Sequence, residues 1–121
     1  MANLPDREWT VLSALWDSGG DTLGGVTEAL RAETGWNRNT VLTYLTRMEA
    51  KGLVSIDKSG YPHLYRAAVG RADCQARERD SFLRRVYRGS AGDLVAAFLK
   101  EQTLSPQERD ELRRLLDEME V

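Results

Sequence analysis

Apolar residues recur at helical spacing through most of the 121-residue chain, and a period of two replaces that spacing in one place. Trp9, Leu12, Leu15 and Trp16 predict a first helix over Pro5–Asp17 and one side of a core, with Asp6 and Glu8 in a first turn where acids suit the dipole. Ser18-Gly19-Gly20-Asp21 stops it. Thr22 then caps a second helix, Leu23 to Glu33, whose stripe is Leu23, Val26 and Leu30 with Ala29 beside it. Thr34-Gly35-Trp36 leads into a third helix that starts at the N-cap Asn37 and ends before Gly52, a residue suited to a left-handed C-terminal turn. Its core face is Val41, Tyr44, Leu45 and Met48. After Gly52 the strand formers Leu53, Val54 and Ile56, the turn Asp57-Lys58-Ser59-Gly60 and the returning strand His63–Ala67 predict a hairpin. Leu64 and Arg66 share one face of that strand and His63 and Tyr65 the other, with Pro62 at a sheet edge or at the strand's first residue.

Beyond Gly70 the pattern is helical again. Arg71 to Arg88 carries Cys74 or Gln75 leading into Phe82, Leu83, Val86 and Tyr87; Gly89-Ser90 breaks it. Ala91 to Glu101 presents Leu94, Val95, Phe98 and Leu99. Ser105-Pro106-Gln107-Glu108 is a capping box with Pro at the first helical position, followed by Leu112, Leu115, Leu116 and Met119 at i, i+3, i+4 and i+7. The expected architecture is mainly α with a small β-wing: an N-terminal winged helix-turn-helix, residues 1–69, followed by a three-helix dimerisation arm, residues 70–121, with a hinge near Val69-Gly70. The arm's helices are too thin in apolar residues to close a core alone. A second copy would cover Phe82, Val86, Leu94, Phe98, Leu112, Leu115, Leu116 and Met119, so a homodimer is expected.

The face of the third helix opposite its core carries Asn39, Leu42, Thr43, Thr46 and Ala50, flanked by Arg38, Thr40, Arg47 and Lys51. Short polar groups at the centre with cations at the edges suit a DNA major groove, where small side chains reach base edges and Arg or Lys meets phosphate. Charge distribution agrees with a localised footprint. The net charge is −2, yet between Trp36 and Arg66 five cations (Arg38, Arg47, Lys51, Lys58, Arg66) face two acids (Glu49, Asp57). Asn39, Thr43 and Thr46 are expected at base edges, and Thr40 and Arg47 at base edges or phosphate. Arg38 and Lys51 are expected on phosphate, and Lys58, Tyr61 and His63 at the backbone or minor groove.

Other classes are disfavoured. One cysteine, Cys74, excludes an internal disulfide, and with one histidine it cannot build a four-ligand zinc site within the chain. No nucleophile–base pair or carboxylate dyad stands at meaningful spacing, so neither catalysis nor a cofactor is expected. No apolar run is long enough for a membrane span and the start lacks a signal-peptide pattern, which predicts a cytoplasmic protein without direct membrane insertion.

Laid out in this way, the chain resembles the BlaI/MecI-type penicillinase repressors, winged-helix repressors of bacteria. The matching stretches are Glu8-Trp9 through Leu15-Trp16, Asn39-Thr40-Val41 through Leu45-Thr46-Arg47-Met48, and Lys51-Gly52-Leu53-Val54. Tyr65 at the end of the wing and Phe82-Leu83 with Gly89-Ser90 in the arm also match. The resemblance implies a homodimer on a palindromic operator in double-stranded DNA, with antibiotic resistance genes as targets. It also implies release through a membrane sensor-protease system that cuts the arm. Three departures stand out. The C-terminus lacks the cysteine-rich tail of the copper-responsive branch; the position matching the family's Asn-Phe cleavage point is Ala97-Phe98; and Leu42 stands where well-studied members carry Arg. Leucine cannot make the bidentate guanine contact of Arg, though it can pack on a thymine methyl. Two alternatives are a winged-helix protein-interaction module and a winged-helix regulator gated by a small ligand, the latter needing a pocket.

Overall fold

The computed structural model describes residues 4–101 and 104–119. Six helices and a small sheet follow the order α1 (Asp6–Ser18), β1 (Asp21–Thr22), α2 (Leu23–Thr34), α3 (Arg38–Ala50), β2 (Val54–Asp57), β3 (Leu64–Ala67), α4 (Arg71–Tyr87), α5 (Ala91–Lys100) and α6 (Pro106–Glu118). The mainly helical class with a small wing is the one the sequence predicts.

Local chemistry sets the helix ends. The Thr22 hydroxyl accepts from the Gly25 N–H at 3.1 Å, and Asn37 Oδ1 accepts from the Thr40 N–H at 2.9 Å. Gly52 adopts φ +79°, and the Leu53 N–H to Met48 O and Gly52 N–H to Glu49 O bonds close α3 with a Schellman turn. In α6 both halves of the capping box form between Ser105 and Glu108. Gly25 has a different reason. A Cβ there would meet the Asp21 carboxylate at 2.1 Å, so only glycine lets this acid pack against the start of α2.

The sheet is larger than a hairpin. Its order is β1-β3-β2, all antiparallel, with Asp21 opposite Tyr65 and Ile56 opposite the other edge of Tyr65. Asp21 therefore does more than help stop α1. The second expectation to revise is the returning strand, which starts at Leu64, leaving His63 outside it. Pro62 is neither at an edge nor the first strand residue; it precedes a central strand, where its missing N–H breaks no ladder bond.

Contacts divide the chain into a first unit ending at Glu78 and a second beginning at Arg79. In the first, Val11, Leu12, Leu15, Val26, Leu30, Val41, Leu45, Met48, Leu53, Val54 and Tyr65 form one core. Trp16 and Tyr44, expected in that core, are half-buried and pack against it; Trp9 is half-buried too, and Val11 takes the central place on α1. Ala29 is exposed. The expected hinge at Val69-Gly70 is tied down. The Trp16 indole N–H donates to Val69 O at 2.9 Å, and the Arg71 guanidinium lies 5.3 Å from the Trp16 ring centroid. Arg71 also pairs with Asp17 at 2.6 Å, and Cys74 on the first turn of α4 is buried.

In the second unit α5 and α6 hold no buried residue. Of the expected seam, Phe82, Val86, Phe98, Leu115, Leu116 and Met119 are exposed in the single chain, and Leu94 and Leu112 are half-buried. Val95 and Leu99, not assigned to the seam, are exposed as well. α4 ends in two consecutive left-handed residues, Arg88 at φ 51° and Gly89 at φ 85°.

Candidate nucleic-acid interface

The core holds α3 from one side. Val41, Leu45 and Met48 have no exposed surface, which fixes the rotation of the helix and turns Arg38, Asn39, Leu42, Thr43, Thr46, Arg47 and Ala50 outward. Thr40 is half-buried at the margin. The outward face is the one the sequence pattern assigns to base reading. Neither Arg38 nor Arg47 has a side-chain hydrogen bond or ion pair among the described residues, so both guanidinium groups are available to a ligand. The Thr43 hydroxyl donates to Asn39 O at 2.9 Å, which leaves its oxygen as an acceptor.

Lys51 has a partner within the protein that the sequence pattern does not assign. Its ammonium lies 2.6 Å from Glu8 Oε2, and the Glu8 side chain is 7% exposed. The Lys51 side chain is 54% exposed, so the pair joins a surface cation to a buried acid. Glu8 itself was read only as a first-turn acid. Its spacing held the missing signal, because Glu8, Leu12 and Leu15 stand at i, i+4 and i+7 on the buried stripe of α1. A second tie was also unforeseen: Arg7 Nη1 donates to the Tyr44 hydroxyl at 3.2 Å, and Tyr44 stacks on Trp36 with ring centroids 4.7 Å apart.

The wing brings Lys58, Tyr61 and His63 to the surface between β2 and β3. Lys58 is exposed, Tyr61 is 93% exposed, and His63 is half-buried with its ring edge-on to Tyr61 at 5.3 Å. The turn is built by Asp57, whose Oδ1 accepts from the Ser59 hydroxyl at 2.6 Å and the Ser59 N–H at 2.9 Å. Those two bonds, the hydroxyl first, hold the Asp57 carboxyl below the ordinary carboxylate range. A recess of about 290 Å³ lies between the wing and the helix pair, lined by Thr22, Leu23, Gly24, Arg38, Tyr61, Pro62, His63 and Tyr65.

The remaining chemistry is sparse. Burial raises the Cys74 thiol above its usual value, which keeps it in the unreactive protonated form. No group of three or more His, Cys, Asp or Glu side chains suited to a metal occurs among the described residues. No helix among them is long and apolar enough to cross a membrane.

An exposed, largely polar face on α3 thus stands beside a three-stranded sheet. A family model described as penicillinase repressor matches residues 4–118. The chain belongs to the penicillinase repressor family. Within that family it is 27% identical to the methicillin resistance regulatory protein MecI of Staphylococcus aureus (strain N315), over 94% of this chain and 93% of that one. It is 29% identical to the penicillinase repressor of Bacillus licheniformis, over 95% and 90% of the two chains. These relatives are named as regulators and repressors, not as enzymes.

Solved structures support the fold. The solution structure of Bacillus licheniformis BlaI, in monomeric form in complex with the blaP half-operator, matches with a TM-score of 0.53 at 24% identity. That match covers 60% of this chain and 88% of the other. A mutant MarR from E. coli matches with a TM-score of 0.54 at 17% identity, over 98% and 79% of the two chains. At such identities the likeness is one of fold.

Proposed function

We propose that this protein is a dimeric, sequence-specific DNA-binding repressor that lays α3 in the major groove of a palindromic operator. The observation that carries this reading is the outward face of α3. Asn39, Leu42, Thr43 and Thr46 occupy its centre, and the unpaired guanidinium groups of Arg38 and Arg47 stand at its margins. Family membership supports it, as does the half-operator bound by the BlaI structure whose fold the chain shares.

Roles follow from chemistry. Asn39 offers the bidentate amide that suits adenine, and Arg47 suits guanine or phosphate. With its hydrogen committed to Asn39 O, Thr43 meets a base donor such as the adenine or cytosine amine, and Leu42 meets a thymine methyl. Thr40 and Arg38 flank the groove on phosphate. Lys58, Tyr61 and His63 in the wing meet the backbone or minor groove. The exposed apolar faces of the arm, Phe82 to Met119, close against a second copy, which supplies the two-fold matched by a palindrome. Release by a sensor-protease system would cut within this arm. The bond Ala97-Phe98 lies inside α5, so a protease must first open that helix locally.

The test is selection of genomic DNA fragments by the purified protein, repeated with Arg47→Ala and Thr43→Ala. A short enriched palindrome is expected, with affinity falling by roughly 1–3 kcal/mol for Arg47→Ala. No enrichment, or a palindrome indifferent to both changes, would favour a protein-interaction module. A regulator gated by a small ligand is supported by one observation, the recess that Arg38 and His63 share with the start of α2. A small-molecule screen for loss of the same fragments tests it.

A further inference from the structure

We infer that Glu8 is a positioning residue for the reading helix: buried in α1, it clamps Lys51 at the end of α3, and Lys51 serves this clamp rather than the DNA backbone. The inference rests on the DNA-binding reading and revises which residues carry it.

Glu8 Oε2 lies 2.6 Å from Lys51 Nζ, while Oε1 is buried without a hydrogen-bond partner among the described residues. A carboxylate so enclosed depends on its one cation, because removing that partner strands a buried charge. Lys51 is the C-cap of α3, and Gly52 and Leu53 then close the Schellman turn just before β2 begins at Val54. The clamp therefore grips the junction between reading helix and wing. Both dipoles favour it, with the acid at the positive end of α1 and the cation at the negative end of α3. Arg7, the preceding residue of α1, holds Tyr44 about two turns earlier on α3. Two consecutive residues of α1 thus grip α3 at two points. The core sets which face of α3 turns outward, and the ion pair adds a directional contact at the C-terminal end of the helix that holds its tilt. Tilt matters to short side chains at base edges and little to long cations on phosphate.

Two variants test this, Glu8→Gln and Lys51→Met, each confirmed folded by circular dichroism. Binding is measured as a function of salt to the fragment the wild-type protein enriches and to a short mixed-sequence duplex. The expected result is a roughly tenfold loss in the ratio of specific to non-specific affinity for both variants. The salt slope of Lys51→Met on the mixed duplex should match the wild type. A slope reduced by about one for Lys51→Met, with the Glu8→Gln ratio unchanged, would overturn the proposal, since that is the signature of a lost phosphate contact. If a single variant fails to fold, Glu8→Leu/Lys51→Met removes both charges together. Wild-type slope with a reduced ratio supports the clamp in that protein, and a slope lowered by about one overturns it. A wild-type protein that enriches no DNA overturns the DNA reading itself, whatever the variants do.

Discussion

The two units of this chain use the same helical alphabet to different ends. In the first, α1, α2 and α3 bury eight apolar side chains of their own, and the outward face of α3 is polar. In the second, α5 and α6 bury nothing, and large apolar side chains from Phe82 to Met119 stand exposed. The head satisfies its apolar stripe within one chain. The arm leaves that stripe exposed in the single chain. Stability in the head should therefore be a property of the single molecule, and stability in the arm a property of concentration.

The sharpest way to break this contrast is to remove a head leucine. Leu45 is fully buried between α3 and the rest of the core. Leu45→Ala should destabilise the head by about 2–5 kcal/mol, read as a lower denaturant midpoint independent of protein concentration. A loss well under 1 kcal/mol would mean the core repacks around the gap.

Leu116→Asp addresses the arm. Leu116 is 59% exposed, so the change should cost the isolated head nothing. It should weaken self-association by about 2 kcal/mol or more, by placing a charge in an apolar seam. Sedimentation against concentration checks it, and an unaltered dimer would move the seam off α6.

Trp16→Phe tests where the rigid unit ends. It deletes the indole donor to Val69 O while keeping a ring beneath Arg71. The expected loss is about 1 kcal/mol of head stability with no change in self-association. No loss would return the hinge to Val69-Gly70.

These same residues show what a linear reading can reach. Asn37, Gly52, Thr22 and the Ser105–Glu108 box were legible because a cap is chemistry between residues three or four apart. Helix rotation was legible from spacing, and with it the outward set on α3. What escaped depends on distant partners. β1 exists only because Asp21 and Thr22 meet β3, and Lys51 gains an internal partner only because Glu8, 43 positions earlier, is folded beneath it. Trp9 and Trp16 lie nearer the surface than their spacing suggests, for a related reason. A large side chain on the right stripe can sit at the margin of the core, and the smaller Val11 takes its centre.

The smallest expected effect is an acid response that separates the units. The Ser105 N–H donates to Glu108 Oε1 at 3.0 Å, and this bond, followed by the Ser105 side chain, holds the Glu108 carboxyl below its ordinary value. A carboxyl depressed in the folded state contributes stability above its unfolded value, about 4.3, and loses it as pH falls through the folded value. Helicity in α6 should therefore fray only in that acid window. Asp57 is depressed by Ser59 in the same direction, but its turn adjoins a dense core, so acid should loosen the wing turn without unfolding the head. Glu108→Gln keeps a side chain able to complete the box and cannot ionise. Its arm should show no acid-dependent loss of helicity from this cap, while the wing's titration, followed by NMR at Ser59, stays in place. An arm that frays in acid as before would put the response elsewhere in α6, with the Glu111–Arg114–Glu118 ion pairs the next groups to replace.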